Sequence, residues 1–180
     1  LRHGITTLGN IETRWNNLPH LWRQSPLRFV SFLELIVLQA ESDSKEALVE
    51  AMNWAREDPP PLGTIGISPH APYTTKRDLL EACAGITEMP IAIHVAESVE
   101  EDEMFRSGTG ALHVKMAEAG RDMGDCGNQS PLAHVAVSGV LGKNVIIIHG
   151  NYLDDADVQA VARSGASLAH CPRSHGYFGH

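Results

Sequence analysis

Residues 90–97 read PIAIHVAE, an apolar strand that runs directly into a histidine and a glutamate. Residues 145–151 read VIIIHGN and repeat this layout, because four β-branched apolar residues end in His149. A helical segment follows each of the two stretches. In α/β barrels the working side chains lie at the C-terminal ends of the strands, below the βα loops. The repeated layout therefore predicts an α/β barrel whose active site includes His94, Glu97 and His149.

Strand and helix alternate along the whole chain, which predicts a mainly parallel sheet. Strands are predicted at residues 5–11, 28–38 and 64–68, from residue 90, and at 145–149 and 166–170. Over residues 28–38 a buried helix is a serious competitor, since an apolar run has no distinguishing period. Helices are predicted at residues 44–57, 76–87, 99–119 with a break at the glycines 108 and 110, 131–141 and 154–164, and a polar loop at 120–130. The result is about six β/α repeats in one domain.

Composition excludes several classes of function. With 180 residues and 43% hydrophobic content, the chain can bury a sizeable core. Its formal net charge of −8 argues against a nucleic acid or an anionic membrane as partner. No apolar run reaches the roughly 20 residues of a membrane-spanning helix. The three cysteines lack CxxC spacing, and together with the absence of a signal-peptide pattern they predict a cytoplasmic protein.

The spacing of His94 and Glu97 is that of a candidate metal centre. Neutral imidazole is the commonest protein ligand for transition metals, and a nearby carboxylate can move protons to and from water on the metal. The alternative for His94 and Glu97 is a core histidine beside a surface glutamate. For His149 the alternative is a buried histidine with a hydrogen-bond partner. Because the same layout occurs twice, the functional interpretation is favoured.

Two further motifs follow predicted strands. In SPHAPYT, residues 68–74, two prolines stiffen the loop that carries His70, which predicts a substrate contact. In AHCPRSHGYFGH, residues 169–180, Arg173 offers a planar donor group for a carboxylate or a phosphate. His170, His175 and His180 are candidate ligands in the same segment. For the first motif the alternative is a simple turn with a surface histidine, and for the second it is loop histidines that bind only water.

The motifs PHAPYT, HVAE, HGNYL and HCPRSH, in this order, resemble the amidohydrolase superfamily and its aminohydrolase and chlorohydrolase branch. That branch includes S-adenosylhomocysteine and aminodeoxyfutalosine deaminases and the s-triazine hydrolases. The resemblance implies a (β/α)8 TIM-type barrel of the metal-dependent hydrolase type. It implies that residues 1–180 form a partial barrel domain with about strands 2–7. Strand 1, strand 8 and the flanking β-sandwich of the family are expected to be absent.

The resemblance also implies roles for individual residues. One divalent metal is expected, zinc first and iron second, with His94 and His149 as its ligands. Glu97 and His149 are the implied catalytic residues, since Glu97 matches the HxxE glutamate that moves protons and His149 the histidine that polarises water or substrate. The implied substrate-binding residues are His70, Arg173 and His175.

The activity implied by the resemblance is hydrolytic deamination of an amino-substituted heteroaromatic ring or a nucleoside-like small molecule, with metal-activated water. One alternative is a hydrolase of the same superfamily that releases chloride, an alkylamine or the amine of an amide. Another is a non-catalytic fragment or binding scaffold. The family's His-x-His pair and its last aspartate have no match in the sequence, so the isolated chain is expected to be inactive. An open barrel exposes two sheet edges, which homo-oligomer formation would cover.

Overall fold

The computed structural model describes residues 4–57 and 59–179. Its six strands form one sheet in the order β1-β2-β3-β4-β5-β6, and every neighbouring pair is parallel. The strands are β1 Thr7–Glu12, β2 Arg28–Leu35, β3 Gly63–Pro69, β4 Ile91–Val95, β5 Val145–His149 and β6 Ser167–Ala169. Sequence order and sheet order are the same, as in the wall of a β/α barrel. This confirms the expected α/β fold of an incomplete TIM-type barrel.

The helices alternate with these strands. They are α1 Leu18–Gln24, α2 Ser44–Glu57, α3 Arg77–Cys83, α4 Val99–Ser107, α5 Gly110–Glu118, α6 Pro131–Val137, α7 Asp155–Ser164 and α8 Pro172–Phe178. A short 3₁₀ helix, Trp15–Asn17, precedes α1. Within the described part of the chain, no helix combines the length and the apolar character that crossing a membrane requires.

Several boundaries differ from the sequence prediction. Residues 28–35 are a strand, which excludes the competing helix, and that strand ends three residues earlier than predicted. Helices α1 and α8 were not predicted. Helix α3 begins one residue later than predicted, with Lys76 at its N-cap position, and it ends at Cys83, four residues before the predicted end. The break between α4 and α5 falls at the predicted glycines, since Gly108 ends α4 in the left-handed conformation.

The main core lies between the sheet and the helices that cover it. Strands β3, β4 and β5 supply its centre with Ile67, Ile91, Ile93 and Ile147, all almost completely buried. Strand β1 at one edge is mostly exposed along its first half. The buried centre fixes the strands whose C-terminal ends carry the polar side chains described next.

Candidate active site

Four polar side chains meet at the C-terminal edge of the sheet, one from each of four neighbouring strands or the residue that follows it. Glu34 lies near the end of β2, His70 directly follows β3, His94 is the fourth residue of β4, and His149 ends β5. The His94 amide donates a hydrogen bond to the His70 carbonyl at 2.9 Å, and the His70 amide donates to the Leu35 carbonyl at 3.1 Å. The ladder of the sheet therefore holds these residues in adjacent positions.

Glu34, His70 and His94 form a group that can hold a metal ion. The carboxylate oxygen Oε1 of Glu34 lies 4.0 Å from Nε2 of His70 and 3.9 Å from Nε2 of His94. Ligand atoms about 2.1 Å from a tetrahedral zinc ion lie about 3.4 Å apart. The two distances from Glu34 would thus need to shorten by about half an ångström, a change that side-chain rotation can supply. Their nitrogen and oxygen atoms suit zinc, so the donor set fits a divalent metal.

The hydrogen bonds of His70 leave Nε2 of its ring facing the Glu34 carboxylate. The Thr74 hydroxyl donates to the Ala71 carbonyl, so its oxygen is free to accept a hydrogen bond from Nδ1 of His70. A neutral His70 ring then carries its lone pair on Nε2, the nitrogen that faces Glu34. Burial lowers the pKa of His70, which favours this neutral form.

The ionisation of the neighbouring groups is consistent with cation binding. Burial lowers the pKa of His94 to about 4, and the nearby rings of His70 and His149 act in the same direction. His94 is therefore neutral at physiological pH, the form in which imidazole binds metals. Burial raises the pKa of Glu34, and the negative charge of Glu12 raises it further. A cation between these side chains would relieve the cost of burying the Glu34 carboxylate.

A second set of contacts joins His149 to Glu97. Nε2 of His149 lies 3.2 Å from Oε1 of Glu97 and 3.2 Å from Nδ1 of His94. A proton on this nitrogen can be donated to either neighbour. Burial lowers the pKa of His149 and the Glu97 carboxylate opposes that shift. The arrangement allows Glu97 and His149 to exchange a proton beside the metal-capable group.

The structure thus brings four of the predicted site residues together, His70, His94, Glu97 and His149. The group of metal-capable donors identified within residues 4–57 and 59–179 contains His94 but not His149, whose role as a ligand stays a prediction. Sequence analysis missed Glu34, the only acidic residue of its strand, because it lies inside an apolar run. Its signal was the position, since this charged side chain lies one residue before the end of an apolar strand, as His94 does on β4.

The residues predicted around the loop after β6 lie on α8. Arg173 is exposed, and the ring of His175 lies 6.3 Å from that of His170, measured between centroids. Substrate binding by Arg173 and His175 stays a prediction. His180, the third histidine of that motif, lies outside the described residues.

The profile of the Amidohydrolase family matches residues 1–180. Over 134 residues the chain is 32% identical to an aminodeoxyfutalosine deaminase of Deinococcus radiodurans, a match that covers 67% of the chain and 31% of that relative. The chain spans 22–37% of the length of the curated relatives it matches.

Solved structures share the fold. A zinc-bound adenosine deaminase of Xanthomonas campestris superimposes with a TM-score of 0.69 at 24% identity, over 95% of this chain and 36% of that one. An E241Q variant of the atrazine chlorohydrolase TrzN from Arthrobacter aurescens, complexed with zinc and atraton, gives 0.72 at 13% identity, over 97% and 41%. At these identities the likeness supports the barrel fold.

Proposed function

Because the chain belongs to the amidohydrolase family, we propose that it is part of a metal-dependent hydrolase that removes the amino group of a nucleoside-like small molecule. The observation that carries the proposal is the meeting of His70, His94, His149 and Glu97 with Glu34 at one edge of the sheet. The deaminase relative supports an amino-substituted heteroaromatic ring as the reacting group. Because the chain spans less than half of its relatives, the activity is proposed for the intact protein.

We propose His94 as a metal ligand, together with Glu34 and His70, since one donor atom from each of the three lies within 4.8 Å of the other two. A bound zinc ion would supply Lewis acidity and lower the pKa of a bound water molecule. Zinc is preferred because two imidazoles and a carboxylate are among its usual ligands, and iron is the alternative. His149 is retained as a second proposed ligand.

The remaining chemistry is proton transfer by residues of this chain. Glu97 accepts a proton from the attacking water and delivers it to the leaving amine, since a carboxylate within hydrogen-bond distance of the reacting atoms can do both in turn. His149 lies within 3.2 Å of the Glu97 carboxylate and can hold or return that proton. His70, Arg173 and His175 are the proposed substrate contacts. Three free cysteines favour a cytoplasmic location, and homo-oligomer formation stays a prediction.

The test is Glu97→Gln in the intact protein. The variant is expected to lose at least a hundredfold in kcat for ammonia release while keeping the metal content of the wild type. Glu100→Gln is the matched control, because Glu100 is exposed on α4 three residues further along the chain. Retained turnover in Glu97→Gln would reject the role of Glu97.

The leaving group is tested with the same protein. Adenine nucleosides should release ammonia, which a coupled assay detects. Release of chloride or an alkylamine from an s-triazine, without turnover of any nucleoside, would favour the alternative hydrolase. Absence of turnover with every substrate in a metal-loaded intact protein would favour a binding scaffold.

A further inference from the structure

Both backbone polar groups of Glu97 are bonded to side chains. Its amide donates to the carboxyl oxygen Oε2 of Glu101 at 2.9 Å, and its carbonyl accepts from Nδ2 of Asn151 at 2.9 Å. Glu101 lies in the first turn of α4, and Asn151 is the second residue after β5. Glu97 itself follows β4. Side chains from α4 and from the loop after β5 therefore both hold the backbone of one residue that follows β4.

The backbone around Glu97 has an unfavourable conformation that must be held in place. Ala96 has a φ of 53° and His149 a φ of 76°, left-handed values that are uncommon for residues other than glycine. These two residues are adjacent across the sheet, where the Gly150 amide donates to the Val95 carbonyl and the Asn151 amide to the Ala96 carbonyl, each at 2.9 Å. Strain of this kind persists only where the surroundings fix it, and it is concentrated at functional sites.

Glu101 has the properties of an internal support. It is 1% exposed, and its second oxygen, Oε1, is buried without a hydrogen-bond partner among the described residues. Burial raises the pKa of Glu101 to about 8, although the nearby backbone amides of Glu97 and Ala96 oppose that shift. A neutral carboxylic acid has the shape of a glutamine amide and shares its carbonyl acceptor.

We propose that Glu101 and Asn151 are positioning residues, which act through the backbone of Glu97 to hold its carboxylate against His149. The proposal rests on the proposed function of Glu97 as the proton-transfer group. Neither side chain needs to touch the substrate. Displacement of a reacting group by about 1 Å can lower the rate about a hundredfold, so loss of either bond should slow the chemical step.

The kinetic test uses the intact, metal-loaded protein. Glu101→Leu replaces the acceptor by an apolar side chain of similar size. The kcat of this variant is expected to fall between 10- and 100-fold, with KM changed less than threefold. Glu101→Gln keeps the acceptor and should remain within threefold of the wild-type kcat. Glu100→Leu, at the exposed neighbouring position, is the matched control and should leave kcat unchanged. Asn151→Asp replaces the donor by an acceptor and should behave like Glu101→Leu.

A double variant separates positioning from general damage to the fold. In the Glu97→Gln background, Glu101→Leu should leave the residual rate within twofold, because the group that it positions is already disabled. A further fall by the factor seen in the wild-type background would overturn the proposal. So would a folded Glu101→Leu whose kcat stays within threefold of the wild type. If Glu101→Leu does not fold, Asn151→Asp provides the same comparison.

Hydrogen exchange distinguishes failure of this proposal from failure of the proposed function. The Glu97 amide of the 180-residue chain should exchange at least tenfold faster in Glu101→Leu than in the wild type, and at the wild-type rate in Glu101→Gln. Unchanged exchange in Glu101→Leu would overturn the proposal whatever the activity. If Glu97→Gln retains turnover, the proposed role of Glu97 fails instead, and positioning for catalysis fails with it.

Discussion

Acidification is expected to destabilise the chain through His134, a histidine of α6 with no exposed surface. Nδ1 of His134 faces two donors, Nη2 of Arg77 and Nε2 of Gln129, each at 3.3 Å. Burial lowers the pKa of His134 to about 4, and the positive charges of Arg77 and Arg121 act in the same direction, while Asp125 opposes them. A proton on Nδ1 would have no acceptor here, and it would face the Arg77 cation.

The size of the effect follows from the two pKa values. In the unfolded chain His134 titrates near its ordinary value of 6.5, so between pH 6.5 and pH 4 the unfolded state binds a proton that the native state does not. The free energy of unfolding therefore falls as the pH is lowered through this window. Between pH 7.5 and pH 5 the expected loss from His134 is about 2 kcal/mol.

Urea unfolding of the wild type, His134→Gln and His20→Gln at pH 7.5 and pH 5 measures this loss. His20 is exposed on α1, so its variant should lose as much stability as the wild type. His134→Gln should lose about 2 kcal/mol less than the wild type over the same interval. The buried site histidines titrate in all three proteins, and their contribution cancels. An NMR titration midpoint of His134 near 6.5 would refute the reasoning, and equal pH dependence in the three proteins would do so too.

Two other outcomes are expected. Gly66→Ala should lower the free energy of unfolding by about 1–3 kcal/mol in urea titrations, because a Cβ atom there would lie 2.4 Å from the Pro90 carbonyl oxygen. Gly85→Ala, whose Cβ would have ordinary contacts, should not destabilise the chain, and equal effects of the two changes would contradict the packing argument. Zn²⁺ should raise the thermal unfolding midpoint of the 180-residue chain, because a ligand that binds only the folded state stabilises it. This rise should be absent in Glu34→Gln and in His94→Gln. A rise that persists in both variants would show that zinc binds elsewhere.

The parallel sheet and most of the site could be predicted because both depend on local patterns. An apolar strand that ends in a histidine is visible in the sequence, and it occurs at His94 and at His149. Because working side chains lie at the C-terminal ends of barrel strands, His94 and His149 could be predicted to share one site. The structure adds that their strands are direct neighbours, β4 and β5, which explains the 3.2 Å contact between the two rings.

Features that depend on tertiary contacts could not be predicted. Helix α8 begins with Pro172, contains Gly176 and is followed by Gly179, so local propensity favours a loop over residues 172–178. In the sequence, Glu34 is a single charged residue that interrupts an apolar run. Its place in the candidate metal site becomes visible only in the fold, because His70 and His94 lie 36 and 60 residues further along the chain. Glu101 is one of three glutamates of α4, and nothing in the sequence shows that it is the buried one.

Several residues that break local rules lie at one edge of the sheet. Glu34 is a carboxylate inside an apolar strand, Ala96 and His149 have left-handed backbones without being glycine, and Glu101 is a buried acid. Each of these features costs stability, and a sequence selected for stability alone would replace each with a residue of ordinary preference. Their concentration where β2, β4 and β5 end is best explained by chemistry at that edge. Backbone angles and burial point to this edge independently of the family match.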